Sequence, residues 1–364
     1  MTLPQPRPGI MDIAIYEPGK SQVKGARRVV KLSSNEAALG PSPKAVAALA
    51  ASLSESHRYP AGDSGEIREA LGKAHNLDAA RIICGAGSDE LLGLVMRGFA
   101  GVGDEIIHTA HGFAMYNIYA KGVGATPVIA PEKDLTTDVD AILERVTPKT
   151  RIVFVANPNN PTGTYIPGAE LRRLRAGLRE DILLVCDDAY AEFVDAPDYE
   201  SGFALASETE NTIAMRTFSK IYGLASVRLG WGFGAKNIVG VMERIRSPFN
   251  VSRPAQFAGL AALADREHVA RTKAHTKKWL AIGLQRLRGL GLKVGDSHGN
   301  FLLPEFPNIP GKTAAECDAF LQENGIIIRR VDGYGLPNHL RVTIGDEEEM
   351  TILLDVMAAF MERK

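Results

Sequence analysis

The chain of 364 residues is 45% apolar and 23% charged, close to the globular average, which argues against disorder and allows a large core without disulfides or metals. Basic and acidic residues number 42 and 43, a formal charge of −1, so no net field gathers nucleic acid or an anionic membrane. At roughly 150 residues per domain, the length implies two domains or one large domain with an appendage. Cys84, Cys186 and Cys317 lie far apart and form no Cys-x-x-Cys pair, so they read as buried thiols in a reducing cytoplasm. The N-terminus lacks the apolar core of a signal peptide, and no run approaches the roughly 20 apolar residues of a membrane span. A cytoplasmic protein with no membrane partner is expected.

The first 40 residues are rich in Pro and Gly and show little periodicity, ending in LSSNEAALGPSP (Leu32 to Pro43). From Arg81 onward, short apolar runs alternate with helical patterns. RIIC (Arg81 to Cys84) reads as a strand, and Ser88 to Phe99 as a helix carrying Leu91, Leu92, Leu94, Val95 and Phe99. Further strands are expected at Glu105–His108, Thr126–Ala130, Ile152–Ala156, Ile182–Cys186 and Thr212–Thr217, with helices at Val139–Val146 and Gly168–Leu178 between some of them. Continuous apolar strands joined by helical crossovers predict an α/β fold, its mostly parallel sheet covered by helices on both faces. The last third reads as a helix near Arg266–Arg288, strands at Asn300–Leu303, Ile326–Arg330 and Leu340–Thr343, and helices at Thr313–Asn324 and Glu347–Met361. The expected division is residues 1–40 as an N-terminal segment, 41–262 as a large domain and 263–364 as a smaller α/β C-terminal domain joined by that segment.

Three motifs invite a first reading that their spacing does not sustain. GAGSDE (Gly85 to Glu90) follows a strand and opens a helix, but Glu90 replaces the third glycine of a dinucleotide fingerprint. What remains is either a phosphate-binding helix start at Gly87-Ser88 or a plain turn capped by Ser88. PGKS (Pro18 to Ser21) lacks the glycine of a phosphate loop, with Ala14 in its place. Of the eight histidines only His108 and His111 are close, without a carboxylate or cysteine at ligand spacing, so no metal site is expected.

Three other segments, together with the helix start at Gly87-Ser88, point to one chemistry. In TFSKIYGLASVRLGW (Thr217 to Trp231), Lys220 follows a strand-like run, and Thr217, Ser219 and Arg228 offer the hydroxyls and guanidinium that a phosphate ester needs. A lysine beside a phosphate cup is the arrangement expected for pyridoxal phosphate. In VCDDAYAEF (Val185 to Phe193), Asp187 ends a buried strand, where a carboxylate needs a cation such as a protonated pyridine nitrogen, and Tyr190 can reach the ring oxygen. NPNNPTG (Asn157 to Gly163) is a rigid polar loop at a strand end, the edge where open α/β sheets bind ligands, and Asn160 can present its amide to the same oxygen. Phe113, in HGFAMY, is either a face for the ring or a core aromatic.

These segments resemble the fold type I pyridoxal-phosphate-dependent aminotransferases over nearly the whole chain. Within that family the chain looks most like the histidinol-phosphate aminotransferases, on YEPGKS (Tyr16 to Ser21), LSSNEAALGPSP, HRYP (His57 to Pro60), GSDELL, IIIRR (Ile326 to Arg330) and LRVTIG (Leu340 to Gly345). It departs from them at Ala37-Ala38, where Asn-Pro is common, and at His111-Gly112, where Pro-Thr is common.

The resemblance implies that Lys220 holds the cofactor as a Schiff base and then moves the proton, with Asp187 on the ring nitrogen and Asn160 and Tyr190 on the ring oxygen. Gly87, Ser88, Ser219, Arg228 and, more weakly, Thr217 would hold the phosphate. Tyr59 would reach the cofactor of a neighbouring subunit, which implies a homodimer. Tyr16, Asn35, Arg329 and Arg341 would bind substrate, the arginines accepting the phosphate of histidinol phosphate or the carboxylates of glutamate and 2-oxoglutarate. An aromatic amino-acid aminotransferase and a phosphothreonine decarboxylase share this scaffold and remain alternatives. A nicotinamide oxidoreductase is disfavoured by the broken glycine motif.

Overall fold

A computed structural model describes residues 3–16, 19–22 and 28–363. Glu17 and Pro18 of the YEPGKS motif therefore lie outside the described residues.

The central sheet has seven strands: β1 (Ile82–Gly85), β2 (Glu105–Thr109), β3 (Thr126–Ala130), β4 (Thr150–Ala156), β5 (Leu183–Asp187), β6 (Thr212–Thr217) and β7 (Gly230–Gly234). Their order across the sheet is β1-β7-β6-β5-β4-β2-β3. Pairs among β2 to β6 are parallel, whereas β7 runs antiparallel to both of its neighbours. The mostly parallel expectation holds. The antiparallel strand was not expected, because three glycines in the five residues of GWGFG weaken the strand pattern.

Side chains alternate across a strand, so a strand buried on both faces needs apolar residues at every position. Ile152, Phe154, Leu183, Val185, Ile213 and Met215 enter one core, with Leu91, Leu94, Ile238 and Met242 from the helices over that face. Val153, Val155, Leu184, Cys186 and Ala214 enter the other, with Ile67, Leu71, Leu171 and Leu174. Helix α1 (Ser88–Phe99) spans the residues expected from its periodicity and buries Leu91, Leu92, Leu94, Val95 and Met96. At about 1.5–3 kcal/mol for each large apolar side chain, this burial anchors the start of α1 against the sheet.

Helices Pro43–Ser52 and Gly65–His75 were not expected. The first is signalled by Ser42, whose hydroxyl accepts from the Lys44 amide, and by proline at the first helical position.

A separate core gathers Trp279, Leu287, Leu302, Leu321, Leu340, Val342, Leu353 and Phe360, and takes in Val30 and Leu32 from the N-terminal segment. The expected strand Ile326–Arg330 is two strands. Ile326–Ile327 pairs parallel with Val30–Lys31, and Arg329–Arg330 pairs antiparallel with Leu340–Thr343, so the chain changes partner at Ile328. Among the described residues no helix is long and apolar enough to cross a membrane, and no cluster of three or more His, Cys, Asp or Glu side chains is placed to hold a metal.

Candidate active site

Strand register brings the site together. Ala156 pairs with Asp187, and Asp187 with Met215, so β4, β5 and β6 end side by side. The Asn157–Gly163 loop, the turn through Tyr190 and the segment through Lys220 therefore leave the sheet at one edge. Because β7 is antiparallel, its first residue, Gly230, lies opposite both Thr217 and Gly85. That puts the residues just before β7, Arg228 among them, at the same edge beside the start of α1. Together these segments enclose a cavity of about 370 Å³.

One end of the cavity is built for an anion. Ser88, Thr217, Ser219 and Arg228 line it. Gly87 precedes α1 with φ 86°, a left-handed conformation open to glycine. Ser88 is thus the first helical residue and not the cap, a correction to one sequence reading: glycine holds the cap position and no side chain bonds there. A Cβ on Gly87 would come within 2.4 Å of Arg228 Nη2, so a larger residue would displace the guanidinium. Arg228 Nη1 donates to Ser219 Oγ at 3.5 Å and to the Ala225 carbonyl at 3.0 Å. Thr217 Oγ1 accepts from the Ser219 amide at 3.1 Å. N–H groups at a helix start, the three hydroxyls and a guanidinium make a phosphate cradle.

The same cavity is lined by Asp187, Tyr190 and Lys220. Lys220 Nζ lies 5.7 Å from the centre of the Tyr190 ring. Burial, with Arg341 and Arg228 adding repulsion, pushes its amine down to about 8. Such an amine is neutral in a useful fraction near physiological pH, as nucleophilic attack and proton transfer require. Asp187 is buried, which raises its pKa, and its partners are neutral donors: Tyr116 Oη at 2.7 Å and the Ala189 amide at 3.2 Å. A buried carboxylate held this way is suited to a cation supplied by a ligand.

Asn160 Oδ1 accepts from Arg341 Nη1 at 2.5 Å, which leaves its amide N–H groups to the cavity. The Tyr190 hydroxyl accepts from Asn35 Nδ2 at 2.8 Å, and burial pushes that phenol up to about 12. Phe113 lines the cavity between α1 and helix α2 (Ala114–Val123).

The residues expected at the substrate end divide into two groups. Tyr16 lines the cavity directly and is 45% exposed. Asn35 and Arg341 stand behind the wall: Arg341 is buried, donates to the Ser33 carbonyl at 3.0 Å and lies over the Phe301 ring, while Asn35 is held by Thr343. Arg329 faces Arg341 across the strand pair. Tyr59 does not reach the cavity of its own chain; it is 77% exposed and stacks on Phe249 at 4.4 Å.

Sequence reasoning missed Tyr116 and Gly230. Tyr116 lies three positions beyond Phe113 on one helix face, a spacing that could have drawn attention to it. Gly230 carried no signal, because its need for glycine arises where a strand crosses a helix start: a Cβ there would lie 2.1 Å from the Ser88 nitrogen.

The anion cradle, the buried carboxylate and the lysine of lowered basicity fit a phosphorylated pyridine cofactor. The comparisons with known proteins agree with this geometry. The family model for aminotransferase class I and II matches residues 27–357. The histidinol-phosphate aminotransferase of Rhodospirillum rubrum is 53% identical over 359 residues, covering 99% of this chain and 97% of its own. That of Paramagnetospirillum magneticum is 53% identical over 361 residues, with 99% of each chain covered. The crystal structure of histidinol-phosphate aminotransferase from Sinorhizobium meliloti in complex with pyridoxal-5'-phosphate superposes with a TM-score of 0.89 at 25% identity, covering 99% of this chain and 98% of that one. The fold is that of the fold type I enzymes, and the chain belongs to the class I and II aminotransferases.

Proposed function

We propose that this protein is a histidinol-phosphate aminotransferase of histidine biosynthesis. It transfers the amino group of L-histidinol phosphate to 2-oxoglutarate and yields imidazole acetol phosphate and glutamate. The observation that carries this reading is the cavity in which Lys220, of lowered basicity, and the buried Asp187 share one chamber with the anion cradle at Gly87, Ser88, Ser219 and Arg228. The relatives named above, at 53% identity over nearly full length, supply the substrate assignment.

Pyridoxal phosphate, bound there, supplies an electron sink for charge that develops at the amine-bearing carbon. Lys220 would hold it through Nζ and, as an amine of lowered basicity, would serve as the base that moves the proton at the substrate carbon. Asp187 would hold the ring nitrogen protonated, Asn160 and Tyr190 would bind the ring oxygen, and Phe113 would pack against the ring. The cradle, with Thr217 at its margin, would hold the phosphate and so position the cofactor beside Lys220.

Tyr16 at the cavity wall, with Asn35, Arg329 and Arg341 close behind it, makes the substrate end, Asn35 and Arg341 adjoining the lining through their bonds to Tyr190 and Asn160. The same arginines serve the phosphate of one substrate and a carboxylate of the other, because a guanidinium fork matches both. We read the exposed Tyr59 as reaching the cofactor site of a second copy, so the working unit is a cytoplasmic homodimer. The division at residues 40 and 262 is supported by the separate core that joins Val30 and Leu32 to the C-terminal third.

Borohydride reduction of the pyridoxal-phosphate-loaded protein followed by peptide mapping tests the reading. A pyridoxyl group on the Lys220 peptide, with turnover abolished and folding retained in Lys220→Ala, is expected. Label on another lysine, or turnover in that variant, would overturn it.

A further inference from the structure

Tyr116 is fully buried on α2, and its hydroxyl donates to Asp187 Oδ2 at 2.7 Å. The other carboxylate oxygen, Oδ1, accepts the Ala189 amide at 3.2 Å. One donor on each oxygen fixes the carboxylate plane, and the donor on Oδ2 comes from a different element than the strand that carries Asp187.

The Tyr116 ring is itself locked. It stacks on Phe154 of β4 at 4.7 Å and 15°, and meets Phe113 edge-on at 5.9 Å and 87°. One side chain thus bridges the carboxylate at the floor of the cavity and the aromatic at its side. A hydroxyl that only needed a partner for burial could have bonded a backbone carbonyl. Here it is spent on an acid that lines the cavity, where Asp89 disfavours and Lys220 favours its charged form.

We propose that Tyr116 is a positioning residue for the cofactor: it orients the Asp187 carboxylate toward the ring nitrogen and keeps it in the charged form that nitrogen requires. The role rests on the proposed function, since it presumes a pyridine ring beside Asp187. Without the hydroxyl, Asp187 loses one of two donors that favour its charged form, and its plane is free to turn. The site then binds the ring less tightly, and the acid takes a larger share of the ring proton.

The test is a double-mutant cycle on the full-length protein with pyridoxal phosphate as the probe, using Tyr116→Phe, Asp187→Asn and the pair. Tyr116→Phe keeps the ring packing and removes one oxygen. In the Asp187 background it is expected to raise the dissociation constant about tenfold, the scale of one hydrogen bond to a charged group. In the Asp187→Asn background the change should be under about twofold. The pH midpoint of the visible band of the bound cofactor should also rise in Tyr116→Phe, because a less electron-withdrawing ring leaves the lysine-linked nitrogen more basic. Equal effects in both backgrounds, or an unchanged dissociation constant and midpoint, would overturn the role and leave Tyr116 a packing residue. If the wild-type chain captures no pyridoxal phosphate, or captures it equally well as Lys220→Ala, the proposed function itself falls and this role with it.

Discussion

Gly230→Ala isolates the crossing on which the anion cradle depends. At Gly230 a Cβ would lie 2.1 Å from the Ser88 nitrogen and 2.4 Å from the Gly87 carbonyl carbon. Both are backbone atoms, so no rotamer change relieves the contact, and either β7 or the start of α1 must move. Gly232 points to the same side of the same strand, but its nearest atoms lie at 3.5 Å, an ordinary contact. Overpacking costs about 1–3 kcal/mol, and a clash with the fixed Gly87–Ser88 backbone places Gly230→Ala at ~3 kcal/mol. Gly232→Ala should stay within about 1 kcal/mol of wild type, since reduced freedom of the unfolded chain offsets small local strain. Denaturant unfolding of the apoproteins gives both values, and fluorescence titration gives the affinity for pyridoxal phosphate. Gly230→Ala should also bind it at least about tenfold more weakly, a loss of about 1.4 kcal/mol, because the Ser88 N–H at the helix start is displaced. Equal stability of the two variants would refute the packing argument. A fall in stability with unchanged cofactor affinity would refute the placement of the phosphate at this crossing.

Capture of pyridoxal phosphate by the apoprotein should accelerate with pH around a midpoint of about 8, where the Lys220 amine loses its proton; a midpoint near that of a free lysine would contradict its burial. The sign extends to stability: the folded pKa lies below the unfolded value of 10.5, so the unfolded chain binds more protons between these values. Over that range the apoprotein should gain stability relative to Lys220→Met as pH rises, and a loss would reverse the argument. Asp187→Asn should remove most of the turnover, on the order of 10²-fold or more, through loss of the cation it stabilises; near wild-type turnover would take Asp187 out of its role. Arg329→Gln should raise KM for the phosphorylated substrate by about tenfold or more, as expected for one charge-assisted contact. An unchanged KM would move the anion contact to another residue.

The parts of the site that were legible in the sequence are those whose chemistry is local. Asn157 to Gly163, Asp187 with Tyr190, and Ser219-Lys220 each follow a strand that its apolar run reveals, and three such strands in a parallel sheet end at one edge. The fold class followed from the same runs, since both faces of β4, β5 and β6 are apolar. What escaped depends on register between distant segments. Gly87 and Arg228 were both expected at the phosphate, but not the antiparallel β7 that brings them together, because a strand of three glycines among five residues does not announce itself. The bond from Asn35 to Tyr190 spans 155 positions, and Tyr116 reaches Asp187 across 71. The change of partner at Ile328 is likewise invisible in a continuous apolar run, because pairing is decided by Val30–Lys31 on one side and Leu340–Thr343 on the other.

The most direct test of the central claim is a single-turnover half-reaction on the protein loaded with pyridoxal phosphate, following its visible absorbance after mixing with L-histidinol phosphate or with L-phenylalanine. Rapid loss of the band with histidinol phosphate, and little with phenylalanine, is the expected result. Equal or faster loss with phenylalanine would contradict the assignment and make this an aromatic amino-acid aminotransferase. A stable band with both would turn attention to decarboxylation of phosphothreonine.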